Sequence, residues 1–150
     1  MSSTTSTAWT SSTGTPSVRV SLVSGGIRQA IIPFARTLGV PVDDVHAVDV
    51  VLDMGGGYYA HDVGTPLVTQ RGKGEMASAL LAGAGGAAPL PRPALAVGDG
   101  STDVAMREAC DALAAYTGFA RREVVVRAAD HEVASFEDLV ALIMDEETPA

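Results

Sequence analysis

ALAVGDGSTDVAM, residues 94–106, sets a short apolar run against a glycine-flanked acidic turn. Ala94 to Val97 is short and apolar enough to be a strand buried on both faces. The turn Gly98-Asp99-Gly100-Ser101-Thr102-Asp103 follows, and a short helix is expected from Thr102 to about Ala109. In an open α/β sheet, ligands bind beyond the carboxyl ends of the strands, which is where this turn falls. Asp99 and Asp103 concentrate negative charge there. Mg²⁺ takes one or two carboxylates plus water and phosphate oxygens, so the turn is a candidate cation site. An aspartate capping a tight turn is the plainer reading, and the surplus of glycines and hydroxyls exceeds what a cap needs.

Outward from this stretch the chain alternates between two periodicities. Val18 to Val23 is a β-branched run that ends in Ser24-Gly25-Gly26, a strand followed by a tight turn. Ile27, Ala30, Ile31, Phe34, Ala35 and Leu38 carry helical spacing, with Pro33 inside and Gly39 and Pro41 as the stop. Val45 to Leu52 reads as a second strand, and Met54 to Val63, around three glycines, as a β-hairpin. A second helix follows Gly72-Lys73-Gly74 and presents Met76, Ala77, Leu80, Leu81 and Ala84. Residues 83–93 read as a linker and Ala112 to Tyr116 as a weak strand. Val124 to Val126 stays open between strand and helix. Ser135-x-x-Asp138 has the form of a capping box that opens a last helix with Phe136, Leu139, Val140 and Ile143 on one stripe. Such alternation predicts an α/β domain with a parallel sheet covered on both faces.

The domain is expected over residues 18–145. Residues 1–17, almost wholly Ser, Thr and Gly with one Trp, bury too little apolar surface to offset ordering entropy and are expected to be a disordered lead-in. Residues 146–150 are expected as a tail, with Asp145-Glu146-Glu147 a frayed helix end. Apolar residues make up 47% of the chain and charged residues 19%, which suits globular material. The net charge of −8 leaves no basic patch to neutralise nucleic-acid phosphates or anionic lipid. A lone cysteine, Cys110, cannot form an internal disulfide and reads as a small core residue. No apolar run reaches the roughly 20 residues of a membrane span, and no basic, apolar signal opens the chain, so a cytoplasmic protein is expected.

Two further groups could carry chemistry. Ser24-Gly25-Gly26 combines a hydroxyl with unobstructed backbone amides at a helix start, the size of a phosphate site, although such turns are common. Lys73 is the single lysine beside nine arginines and sits between two glycines, where an ammonium acts as a compact charge for phosphate or carboxylate. His46, His61 and His131 have no metal spacing. Asp43-Asp44 reads as a solvated turn.

Taken in order, VSGGIR (23–28), the Val45–Val63 strand and hairpin, RGKGEM (71–76) and VGDGSTDVAM (97–106) resemble the haloacid-dehalogenase superfamily, and within it the phosphoserine phosphatases. The likeness covers roughly residues 18–145. It implies a three-layer Rossmann-like core with a small β-hairpin and a Mg²⁺-dependent hydrolase of a small phosphorylated metabolite, with L-phosphoserine to serine as the candidate reaction. It also implies that Ser24, the Gly25 backbone and Thr102 contact phosphate, that Lys73 is the catalytic cation, and that Asp99 and Asp103 serve the metal.

The chain departs from the family in one large respect. The Asp-x-Asp-x-Thr motif, whose first Asp is the family's nucleophile, occurs nowhere in the sequence, and the cap insertion that follows it is missing too. The resemblance therefore implies an incomplete core lacking its central strand, with two inner strand edges facing a gap, and an inactive, marginally stable isolated chain. A complementing N-terminal polypeptide, self-association, or a phosphate- and Mg²⁺-binding pseudoenzyme are the corresponding expectations.

Overall fold

The computed structural model describes residues 4–10 and 17–144. Eight strands and four α-helices are seen among the described residues: β1 (Thr4–Thr10), β2 (Ser17–Ile27), α1 (Arg28–Thr37), β3 (Val45–Val48), β4 (Val50–Leu52), β5 (Tyr58–His61), α2 (Gly72–Ala82), β6 (Ala94–Gly98), β7 (Ala112–Tyr116), α3 (Glu123–Ala128), β8 (His131–Val133) and α4 (Phe136–Met144). The main sheet has the order β3-β2-β1-β6-β7-β8, and β4 pairs with β5 in a separate hairpin.

Neighbours β2 and β3, β6 and β7, and β7 and β8 pair in parallel, while β1 runs antiparallel to both β2 and β6. The five strands other than β1 therefore share one direction, as an α/β pattern requires. The central strand alone is reversed, so the sheet is mixed.

This corrects the reading of the lead-in. Residues 4–10 form a strand between β2 and β6, and the expected gap between inner strand edges is closed. The physical reason lies in those edges: two rows of backbone N–H and C=O groups require partners, and a Thr- and Trp-containing segment has the β propensity to supply them. Composition alone, which weighs apolar surface, misses this backbone demand. Residues 1–3 and 11–16 of the lead-in, residue 145 and the tail 146–150 lie outside the described residues.

Alternation along β6 and β7 divides the core. Ala94, Ala96 and Leu113 pack with Ala77 of α2, Met106 and Cys110 on one face; Val97 and Ala114 pack with Val133 and Leu139 of α4 on the other. Val23 and Val48 extend the α2 side through Leu67, Met76 and Leu80. Cys110 is a buried core residue, as its isolation in the sequence suggests.

Boundaries moved where tertiary contacts dominate. The expected strand 45–52 breaks at Asp49 into β3, in the main sheet, and β4, in the hairpin. Strand β2 continues through the expected Ser24-Gly25-Gly26 turn to Ile27, with its pairing to β3 irregular between Val23 and Ile27. The open segment 123–128 is helical. The helix expected from Thr102 is a tighter 3₁₀ turn over Val104–Glu108. Asp44 is no solvated residue: it is buried and accepts hydrogen bonds from the Arg19 guanidinium, the shorter at 2.7 Å.

Candidate functional site

The Gly98–Asp103 turn leaves the carboxyl end of β6. Its shape is set by Asp103, which is fully buried and receives the Gly100 amide on Oδ2 at 2.9 Å. Asp103 lies so close to Gly98 that a Cβ there would be 2.2 Å from Oδ2, so glycine is required for close approach. The other oxygen, Oδ1, receives the Lys73 ammonium at 2.5 Å, and Lys73 is itself 4% exposed. Removing two charges from water is tolerable only with such direct pairing and further hydrogen bonds.

Lys73 reaches Asp103 because α2 starts one residue before it. Gly72 permits that start: a Cβ would lie 1.7 Å from the Pro66 carbonyl oxygen. Gly74 lets the helix touch the following segment, where a Cβ would be 2.4 Å from the Ala105 carbonyl oxygen. The glycines either side of Lys73 are thus explained by backbone contact on two sides of the first helical turn.

The loop before α2 also meets the Ser24 turn. Gly25 is exposed and packs its α-carbon toward Leu67, with a hypothetical Cβ 3.2 Å from that carbonyl oxygen. Ser24 is buried, and its Oγ accepts the Gly26 amide at 3.0 Å. Helix α1 follows without a side-chain cap on Ile27. Residue contacts therefore run from Gly25 through Leu67, Pro66 and Gly72 to Lys73, Asp103 and Gly98, gathering three separated motifs at one end of the sheet. Thr102 is half-buried beside Asp103.

Asp99 faces a residue that sequence reasoning did not single out. Arg122, just before α3, donates through Nη1 to the Asp99 carboxylate at 2.5 Å and to its carbonyl oxygen at 2.8 Å. No local signal marks Arg122, since a chain separation of 23 residues is closed only by the fold. As a result each acidic residue of the turn has a cation partner, Lys73 for Asp103 and Arg122 for Asp99.

That arrangement tests the expected Mg²⁺ site. Both oxygens of Asp103 are engaged and its side chain is wholly enclosed, while Asp99 is compensated by Arg122. Among the described residues no group of three or more His, Cys, Asp or Glu side chains could hold a metal ion. The described residues do not by themselves fit a resident divalent cation. What they form is an end of the sheet that carries hydroxyls and glycines beside a buried ammonium paired with Asp103.

Ser24 near the end of β2, Lys73 on α2 and the Gly98-Asp99-Gly100 turn after β6 follow the order that the resemblance to the haloacid-dehalogenase superfamily implies. No protein-family model matches the sequence. Curated relatives do: the chloroplastic phosphoserine phosphatase of Arabidopsis thaliana is 30% identical over 125 residues, covering 82% of this chain and 41% of the relative. Phosphoserine phosphatase of Drosophila melanogaster is 32% identical over 122 residues, covering 81% and 44%. Among solved structures, a phosphoserine phosphohydrolase-like protein from Francisella tularensis subsp. tularensis SCHU S4 matches with a TM-score of 0.66 and 25% identity, over 81% of this chain and 53% of that one. A phosphoserine phosphatase in apo form matches in fold at a TM-score of 0.54 and 22% identity, over 81% and 56%. Over about four fifths of its own length the chain is similar to phosphoserine phosphatases and to a phosphoserine phosphohydrolase-like protein, and it spans less than half the length of the curated relatives it matches.

Proposed function

We propose that this chain supplies the phosphate-holding half of a phosphomonoester hydrolase, acting in the cytoplasm on a small phosphorylated metabolite, with L-phosphoserine as the first substrate to test. The observation that carries the reading is the buried Lys73–Asp103 pair, at 2.5 Å, beside the Ser24 and Asp99 turns. A protein seldom encloses a lysine unless its charge is needed where it stands.

In this reading the Ser24 hydroxyl, the Gly25 backbone and Thr102 hold the phosphoryl oxygens. Lys73 offsets negative charge as it accumulates at phosphorus, and Asp103 fixes its ammonium in place before reaction, so little reorganisation is needed. The nucleophile is a carboxylate outside the sequence given: its oxygen bonds to phosphorus, the alcohol leaves with a proton, and water then cleaves the acyl phosphate. The Mg²⁺ that the resemblance assigns to Asp99 and Asp103 is left out of this reading, because Asp103 spends both oxygens on Lys73 and Gly100 and Asp99 faces Arg122.

The chain alone should release no phosphate from L-phosphoserine, while orthophosphate should shift the backbone amide resonances of Ser24, Gly25, Lys73 and Thr102. Adding a polypeptide that carries Asp-x-Asp-x-Thr should yield a phosphoenzyme labelled on that polypeptide. Failure of both the shifts and the labelling would sink the proposal. Orthophosphate binding without phosphoenzyme, whichever polypeptide is added, would instead favour a non-catalytic phosphate-binding protein, a reading supported by the absence of the nucleophile motif.

A further inference from the structure

Both aspartates of the Gly98–Asp103 turn hold cations of the chain itself. Asp103 receives the Lys73 ammonium at 2.5 Å and the Gly100 amide at 2.9 Å, which engages both of its oxygens. Asp99 receives Arg122 Nη1 twice, on Oδ2 at 2.5 Å and on its carbonyl oxygen at 2.8 Å. Asp99 follows β6 and Arg122 follows β7. These strands are parallel neighbours, with Gly98 in register with Ala115, so the contact lies beyond their carboxyl ends. Ligands meet an open α/β sheet on that side.

The two pairs differ in what they present to a ligand. Lys73 is 4% exposed, whereas the Arg122 side chain is 45% exposed. A guanidinium carries five N–H donors in a planar fork, and Arg122 uses only Nη1 on Asp99. Its Nε–Nη2 edge makes no hydrogen bond among the described residues. Two parallel N–H groups on such an edge match two oxygens of a phosphate. The approach of a dianion to a chain of net charge −8 also calls for a cation at the point of contact. A divalent ion on the Asp99 carboxylate would instead lie beside the guanidinium already there, a like-charge contact.

We propose that Arg122 takes the cation's role at Asp99: the strand-end site holds the dianion of a phosphate monoester through the Nε–Nη2 edge of Arg122 and without a divalent ion. Asp99 fixes the guanidinium plane from its carboxylate and its carbonyl, so the free edge is ordered before the ligand arrives. The inference rests on the phosphate-holding reading above and adds to it an accessible cation.

The test titrates orthophosphate into the full chain, in excess EDTA and again in millimolar MgCl₂. It follows the Arg122 Nε–H resonance together with the amides of Ser24, Gly25 and Thr102. The parent chain should bind in EDTA, with a shift of the Arg122 Nε–H signal, and should hold phosphate no more tightly in Mg²⁺. Arg122→Ala should weaken binding in EDTA by about tenfold or more. Added Mg²⁺ should then recover part of that loss, because Asp99 is released. Arg122→Lys keeps the charge and loses the fork, and its affinity should fall between the other two. Unchanged amide resonances away from residues 98–103 and 117–123 verify that both variants are folded. Four results would each overturn the inference while the phosphate reading stands: a parent chain that needs Mg²⁺ to bind, an Arg122→Ala chain that binds as tightly in EDTA, an Arg122→Ala chain that Mg²⁺ does not rescue, or an Arg122 Nε–H signal that phosphate leaves in place. Absence of orthophosphate binding with and without Mg²⁺ would sink the phosphate reading and this inference together.

Discussion

Lys73 and Asp103 show how one contact can serve both folding and chemistry. Each is enclosed, so truncating either strands the other's charge in a medium that solvates it poorly. Lys73→Met is expected to lower stability by about 3–5 kcal/mol, a large share of a domain's total. Chemical denaturation of Lys73→Met and of Lys73→Met/Asp103→Asn checks this, with the double variant recovering part of the loss; a single-variant cost below about 1 kcal/mol contradicts it. Arg122 and Asp99 form the opposite case. Their side chains are 45% and 17% exposed, so Arg122→Ala should change stability by no more than about 1 kcal/mol. It should also free the Asp99 carboxylate, so calorimetric titration with Mn²⁺ should show tighter binding than in the parent chain. Equal affinity would mean that Arg122 does not compete for Asp99.

At the scale of elements, small residues and aspartates decide where strands and helices stop. Gly98→Ala places a Cβ 2.2 Å from Asp103 Oδ2 and must push that carboxylate away from Gly100 and Lys73. An overpacking cost of about 1–3 kcal/mol is expected, together with loss of the orthophosphate-induced shift at Lys73. A thermal melt and the phosphate titration together read both effects. At the opposite end of the sheet, Asp111 accepts the amide of Ala94, at the start of β6, and Asp130 accepts that of Leu113, in β7, while Arg92 and Arg107 pair with the two carboxylates. The capping box at α4 is reciprocal: Asp138 N–H donates to Ser135 Oγ at 3.0 Å and Ser135 N–H donates to Asp138 Oδ2 at 3.1 Å. Ser135→Ala should cost about 1 kcal/mol.

For the whole molecule, pH links these local ties to stability. Burial lowers the His46 pKa below its ordinary 6.5, an effect that nearby Asp44 only partly opposes. The unfolded chain then takes up a proton before the native one, so stability should fall as pH drops from 6.5 to the depressed native value, and level off below it. His46→Gln should flatten that part of the profile. Asp130 acts in the acid range: the hydrogen bond from Leu113 N–H holds its pKa below 3.8, opposed by burial and assisted by Arg107. Its contribution is complete above 3.8 and is lost as pH falls through the lower native value. Urea midpoints measured between pH 3 and 8 resolve the two windows.

The sequence by itself determined the α/β class, the hairpin and the capped last helix. Those rest on local causes: period of apolar residues, glycine where backbone must approach, and hydroxyl or carboxylate at a turn. Only the tertiary structure decided the centre of the sheet. Residues 4–10 look unfit for a core by composition, and they become a strand because β2 and β6 leave backbone groups that need partners. It likewise decided that Asp99 faces Arg122 and that Asp44 is buried against Arg19, since partners 23 and 25 residues apart carry no periodic signal. Local chemistry is written along the chain; the choice of who pairs with whom is made by the competition to leave no edge and no charge unpaired.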